Sequence, residues 1–246
     1  MTATSTVTLT LMKNLTELKN IHAGKDIYIL GAGASLDHID KSFFDGKICI
    51  GINRVGKFYE CDYIMTKDSR GFDSILKGTL GTPKILLSKY ETGDPGRGLN
   101  FMEGDVYIYD HFSKPRQMPM VDEISKKVDK LVVSFSTITT GIHAAAYMGA
   151  KNIIICGHDC GALDGKTALK GYHEDLRPHH GSAEAYATWL GMIEDHTVSV
   201  KKKLQSEYGC NIMSLNPFIN FNLEGHKYAR SSNIVIPVNT TKFRKR

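Results

Sequence analysis

The sequence predicts an α/β fold: a single Rossmann-like domain on a mostly parallel sheet, with helices on both faces and a loop-and-helix lid. Three observations carry this. Short β-branched runs alternate with helical patterns along the chain, the order of a parallel sheet covered on both sides. The first strong run, 26–30, breaks into Gly31-Ala32-Gly33-Ala34-Ser35, a turn of the kind that opens a nucleotide-binding βα unit. At 246 residues and 41% hydrophobic content, the chain can bury one substantial core.

The elements follow in order. Leu11, Leu15, Leu18 and Ile21 fall at helical spacing, which predicts an amphipathic lead-in helix over about 8–22, within an N-terminal segment 1–24. Apolar, β-branched runs at 26–30, 47–52, 62–66, 84–88, 106–109, 131–134, 152–156 and 211–215 read as strands. Helical patterns lie at about 72–77, 120–130, 140–148 and 182–208. One domain spanning 25–235 accounts for all of these, followed by a basic tail, 236–246. Two stretches break the rhythm. Residues 91–104 are Gly-rich around Asp94-Pro95-Gly96 and read as a surface loop. Residues 157–181 are polar, hold His173, His179 and His180, and form the lid loop; a long loop after a core strand usually serves function.

Composition excludes several classes. The net charge of +5 owes much to Lys201-Lys202-Lys203 and to the tail Lys242-Phe243-Arg244-Lys245-Arg246. No aromatic-interleaved basic motif accompanies it, so no nucleic-acid partner is expected. An anionic small molecule or a membrane surface accounts for the charge equally well, which leaves peripheral membrane contact open. The five cysteines are an odd number at irregular spacing, which fits a reducing compartment and no zinc knuckle. No run approaches the roughly 18 apolar residues of a spanning helix, and residues 1–10 carry no Lys or Arg, unlike a secretory signal. The expectation is a soluble, cytoplasmic protein, or one at the inner face of the membrane.

In parallel sheets ligands bind where strands end. The first strand exits through Gly31 and Gly33, which permit close backbone approach; a helix starting near Ser35 would aim free N–H groups at a phosphate. The third glycine of G-x-G-x-x-G would fall at Leu36, and no acidic ribose partner ends the second strand, so a mononucleotide fits better than a dinucleotide. Asn53-Arg54 stands there instead, and the Asn amide suits a ribose or base edge. The third strand exits into Thr66-Lys67-Asp68-Ser69-Arg70, where Asp68 or Ser69 serves equally well as a helix cap. Ser136-Thr137-Ile138-Thr139-Thr140-Gly141 leads into an Ala-rich helix, and the next strand ends in Gly157-His158-Asp159. A buried Asp159 requires a hydroxyl, amide or cation beside it. The histidines admit acid–base catalysis, metal binding by some of His158, Asp159, His173, His179 and His180, or simple solvation; their spacing matches no standard zinc motif. Near the C-terminus, Asn216-Pro217-Phe218 ends the last strand, and His226-Lys227 offers a second lid or a surface turn.

Taken together and in this order, the motifs resemble the bacterial sialyltransferases of glycosyltransferase family 42. They also resemble the motility-associated-factor glycosyltransferases and the MptE-like 6-hydroxymethylpterin diphosphokinases. The pieces are Gly31-Ala32-Gly33-Ala34-Ser35-Leu36, Asn53, Thr139-Thr140-Gly141, Ile153-Ile154-Ile155-Cys156-Gly157-His158-Asp159 and Leu215-Asn216-Pro217. The resemblance implies transfer of a sugar, sialic-acid-like, from a CMP-linked or other nucleotide-sugar donor to an acceptor hydroxyl on a surface glycan, glycolipid or lipopolysaccharide. It implies a donor site at Gly31, Ala32, Gly33, Ser35, Asn53, Arg54, Asp68, Thr139, Thr140, Gly141, Gly157 and His158, with Asp159 and His173 catalytic beside His180 as general base. No metal or other cofactor is required, although magnesium stays open, and a homo-oligomer is implied. Two departures stand out. Ala32 replaces the family's Asn, and Gly161 and Thr167 occupy the places of two tyrosines that hold the leaving phosphate; Tyr172 is the candidate replacement. Two alternatives remain: a diphosphokinase using ATP and magnesium, with Asp68 or Asp159 as ligands, or an inactive nucleotide- or sugar-binding module.

Overall fold

The computed structural model describes residues 12–67, 76–89, 105–112, 120–161, 166–172 and 183–215. Nine strands are found among them, and every pairing is parallel. They are β1 (Met12–Asn14), β2 (Asp26–Leu30), β3 (Ile48–Ile52), β4 (Tyr63–Thr66), β5 (Lys84–Ser88), β6 (Val106–His111), β7 (Lys130–Leu131), β8 (Asn152–Cys156) and β9 (Asn211–Ser214). The order across the sheet is β1-β6-β5-β4-β3-β2-β8-β9, and β7 pairs with the last residues of β6, Asp110 and His111, past those that β1 pairs. Two α-helices are described, α1 (Thr137–Tyr147) and α2 (Ala183–Tyr208).

Burial on both faces explains why the strands read as unbroken apolar runs. Along β2, Ile27 and Ile29 join the cluster under α1 and α2, while Leu30 joins the opposite one. On the first face Ala144, Ala145 and Ala146 are buried, which lets α1 lie close to the strands. Gly141 has the same use: a Cβ there would stand 2.7 Å from Ile52 Cδ1. The second face is covered by one-turn 3₁₀ helices at Ala34–His38, Lys41–Phe44 and Asn53–Lys57.

Three expectations change. The lead-in helix is absent from the described residues: Met12–Asn14 pairs with the edge of β6, and one 3₁₀ turn, Leu15–Leu18, follows. Asn14 starts that turn with a capping box completed by Glu17, and it ends before Asn20, whose φ of 59° no helix continues. Leu15 and Leu18 are buried as the spacing requires, but i, i+3 spacing serves a 3₁₀ turn as well as an α-helix. The helix expected over 120–130 stops after Met120–Glu123, because the next residues turn toward the end of α2: Lys126 N–H donates to Glu207 at 3.0 Å. The strand expected at 131–134 is reduced to Lys130–Leu131, with an isolated bridge between Ser134 and Ser136. The predicted helix at 72–77 and loop at 91–104 lie mostly or wholly outside the described residues.

Candidate functional site

From β2 the chain steps outward through β3, β4, β5 and β6, and then returns to the other side of β2 for β8 and β9. The reversal falls between β2 and β8, which is where open parallel sheets form a crevice at their carboxyl ends. The two exit turns are laced together there. Gly31 N–H donates to Cys156 O at 2.8 Å, Gly33 N–H to Gly157 O at 2.6 Å, and Leu169 N–H to Ala32 O at 2.9 Å.

This lacing changes the reading of the glycines. A Cβ on Gly31 would collide with the Gly157 carbonyl oxygen, and one on Gly33 would stand 2.5 Å from Asp159 Cγ and Oδ2. The protein's own second turn therefore demands these glycines, before any phosphate does. The expected helix at Ser35 is likewise a five-residue 3₁₀ helix, Ala34–His38, and its second N–H is already used: Ser35 N–H donates to Asp159 Oδ2 at 2.8 Å. The Ser35 hydroxyl donates to the other oxygen, Oδ1. The partner required for Asp159 is thus a serine from the first turn. A carboxylate 3% exposed and held in this way is a clamp between turns rather than an open metal ligand. Among the described residues no three His, Cys, Asp or Glu side chains form a group able to hold a metal ion.

His158 continues the same seam. Thr197 on α2 donates its hydroxyl proton to Ile193 O at 2.7 Å, so at 2.8 Å it accepts from His158 Nε2–H; Nδ1 is then the unprotonated nitrogen. Burial drives His158 down to about 4. His143 on α1, which accepts Val132 N–H at 2.9 Å, is driven to about 3 by the same cause. Both are neutral at pH 7. On acidification the unfolded chain takes up these protons from about pH 6.5 downward, while the folded chain does so only near the lower values. Stability is therefore expected to be full above pH 6.5 and to fall as pH drops toward 4, by on the order of 2–4 kcal/mol at about pH 5. Urea midpoints at about pH 7.5, 6 and 5 measure it; a flat midpoint would show that these imidazoles are not held neutral. Beside His158, Cys160 Sγ lies 3.6 Å from Nε2, and burial pushes this thiol up, keeping it protonated.

The crevice encloses a cavity of about 200 Å³. Of the residues singled out in the sequence, Gly31, Ala32, Gly33, Asn53, Gly157, His158, Asp159 and Tyr172 line it. Asn53 sits at the exit of β3 with φ 53°, a left-handed conformation that Asn tolerates well. Gly161 and Thr167, where the resemblance has tyrosines, line the same cavity as Tyr172. Other singled-out residues stand behind the lining. Ser35 clamps Asp159, and Arg54 donates to Tyr172 O at 3.1 Å with its guanidinium 5.9 Å from the Tyr172 ring. Thr139 spends its hydroxyl on Ser134 O and Ser136 O. Thr140 is fully buried, its hydroxyl without a hydrogen-bond partner, and Gly141 packs on Ile52. Asp68, His173, His179 and His180 lie outside the described residues, as do 216–218 and 226–227.

Sequence reasoning missed the contribution of α2. Trp189, Leu190 and Ile193 of α2 line the cavity, beside Ser136 and Ile138 of the 136–141 run already singled out. In the sequence α2 reads only as a covering helix. The available signal was the lone Trp of the chain in the first half of a helix that follows a polar loop.

The sequence matches no protein-family model, and no curated protein matches it either. Solved structures do match. The sialyltransferase CstII from Campylobacter jejuni, in complex with cytidine-5'-monophosphate, aligns over 89% of this chain and 91% of its own, with TM-score 0.52 and 14% identity. The same enzyme in complex with CMP-3FNeuAc aligns over 89% and 93%, with TM-score 0.51 and 18% identity. These likenesses establish the fold: a mostly parallel, Rossmann-like α/β domain shared with CstII. No helix among the described residues is long and apolar enough to cross a membrane.

Proposed function

We propose that this chain is a glycosyltransferase that moves a sugar, sialic-acid-like, from a CMP-linked donor to an acceptor hydroxyl on a surface glycan or glycolipid, without a metal. The observation that carries the reading is the cavity at the β2/β8 reversal, with Asn53, Asp159 and Tyr172 on its wall. The CstII structures that share the fold hold CMP and CMP-3FNeuAc, which supports a cytidine nucleotide as the donor's leaving part.

In the proposed reaction the acceptor oxygen bonds to the anomeric carbon as the bond from that carbon to the phosphate oxygen breaks. The acceptor proton passes to a base, and the negative charge leaves on CMP. Asn53 reads the ribose or base edge through its amide. Thr167 and Tyr172 offer hydroxyl donors to the leaving phosphate in place of the two tyrosines implied by resemblance. Asp159 holds the two turns in register through Ser35. His180, with His173 as its alternative, takes the acceptor proton.

Calorimetric titration with CMP, UDP and ATP, each with and without magnesium, tests the reading. CMP is expected to bind equally well in both conditions; magnesium-dependent ATP binding without CMP binding would overturn it in favour of phosphoryl transfer. In turnover assays His180→Ala is expected to lower kcat by roughly 10²–10⁴ while CMP still binds.

A further inference from the structure

Part of the cavity lining comes from α2, and α2 is tied to the segments that follow the strands. Thr197 accepts from His158 at 2.8 Å. One residue earlier, His196 hydrogen-bonds Ser134 at 3.0 Å and stacks on Phe135 with ring centroids 4.3 Å apart. Ile193 is buried at 3% exposure. Trp189, Ile193 and Thr197 follow one another at i, i+4 spacing, so they share one face of the helix. The anchors at Ile193 and Thr197 therefore fix the face that carries Trp189 into the cavity, where it remains partly exposed.

The rest of the lining has a different character. Gly31 and Gly33 carry no side chain, and Asn53 brings an amide to the lining. A cavity with an indole on one side and hydrogen-bonding groups around the rim suits a flat ring with an apolar face and a polar edge. A nucleobase has that shape; a ribose phosphate alone does not. At about 200 Å³, below the roughly 300–1,000 Å³ of sites that enclose a whole drug-sized ligand, the cavity takes one ring system with its attachments rather than a complete nucleotide sugar.

We infer that Trp189 is the stacking platform for the donor's nucleobase, a specificity-determining contact on α2. The inference rests on the nucleotide-donor reading above. The base lies against the indole face with its edge toward Asn53, and the phosphate leaves toward Tyr172 and Thr167.

The chain contains one tryptophan, so emission excited selectively at tryptophan reports on this position alone. Wild-type protein is titrated with CMP, UMP, AMP and ribose 5-phosphate, following both fluorescence and heat. CMP is expected to quench the emission, and ribose 5-phosphate is expected to leave it unchanged. Trp189→Ala is expected to weaken CMP roughly 5- to 100-fold, and Trp189→Phe to stay within about threefold, since alanine removes a base–aromatic stack and phenylalanine keeps one. If Trp189→Ala fails to fold, Trp189→Phe and the wild-type titration decide. CMP heat with no fluorescence change and an unchanged affinity in Trp189→Ala would overturn the stacking while leaving the donor reading intact. Equal quenching by ribose 5-phosphate would also overturn it, by putting the sugar on the indole. Quenching by UMP or AMP but not CMP would uphold the stacking and remove the cytidine assignment. No heat and no quenching with any of them would overturn both.

Discussion

Gly31→Ala is expected to lose about 3 kcal/mol of stability and, with it, nucleotide binding. The new methyl group would collide with the Gly157 carbonyl oxygen and stand 2.9 Å from Ile138 Cδ1. A side chain can swing aside, but the carbonyl belongs to the turn leaving β8 and cannot move without breaking Gly33 N–H···O=C Gly157. Overpacking of a rigid site costs about 1–3 kcal/mol, sometimes more, and the lost hydrogen bond adds to it. Against a total of about 5–15 kcal/mol for a domain, that is a large share, seen as a Tm drop of roughly 6–12 °C. Gly191→Ala supplies the control with the opposite sign. That glycine lies within α2 with no atom within 4 Å of an added Cβ, so alanine is expected to stabilise by up to about 1 kcal/mol. Thermal melts of both variants settle it: equal Tm values for Gly31→Ala and wild type would show that the two turns are not in contact.

Cutting the Ser35–Asp159 clamp is expected to have the next largest effect. Asp159→Ala leaves the Ser35 N–H and hydroxyl without their acceptor in a place where Ser35 is 4% exposed. Unsatisfied buried donors cost about 1–3 kcal/mol each, so a loss of roughly 2–4 kcal/mol follows. Ser35→Ala removes one of the two bonds and is expected to cost about 1–2 kcal/mol. Because the two residues meet directly, their effects are not additive: a double-mutant cycle in urea is expected to return a coupling of about 1–3 kcal/mol. Coupling near zero would mean that Asp159 is held by other groups and that Ser35 is incidental. Both variants loosen the turns that bound the cavity, so CMP affinity is expected to fall together with stability.

Strand positions were legible because each strand's burial is written into its own residues. In β2, Ile27, Ile29 and Leu30 are all fully buried, and a β-branched run between polar residues has few other uses. The α2 helix was legible for the same reason, through its periodic length. The lead-in failed because Leu15 and Leu18 satisfy two helix types at once, and the choice was made by β6, whose free edge takes Met12–Asn14. The 120–130 segment failed because its fate depends on Glu207, far along the chain.

For the candidate site, the sequence located the strand exits and the residue types. The structure adds a second demand on the glycines, close approach of the Gly157 turn. Gly31, Gly33, Asn53 and Asp159 stand at the ends of strands that local patterning alone predicts, so their gathering at one edge follows from parallel topology. Their tasks do not. Ser35 and Asp159 are separated by 124 positions, and nothing near either one names the other.

The amino-acid sequence by itself determined that this protein is a parallel α/β domain with a glycine-lined strand exit, since periodicity, β-branching and turn residues act over a few neighbours. Only the tertiary structure decided that Gly31 and Gly33 yield to the Gly157 turn, that Asp159 is clamped by Ser35, and that Trp189 lines the cavity. Those are contacts between surfaces that the chain brings together only once the sheet has closed, and no local pattern encodes which surfaces will meet.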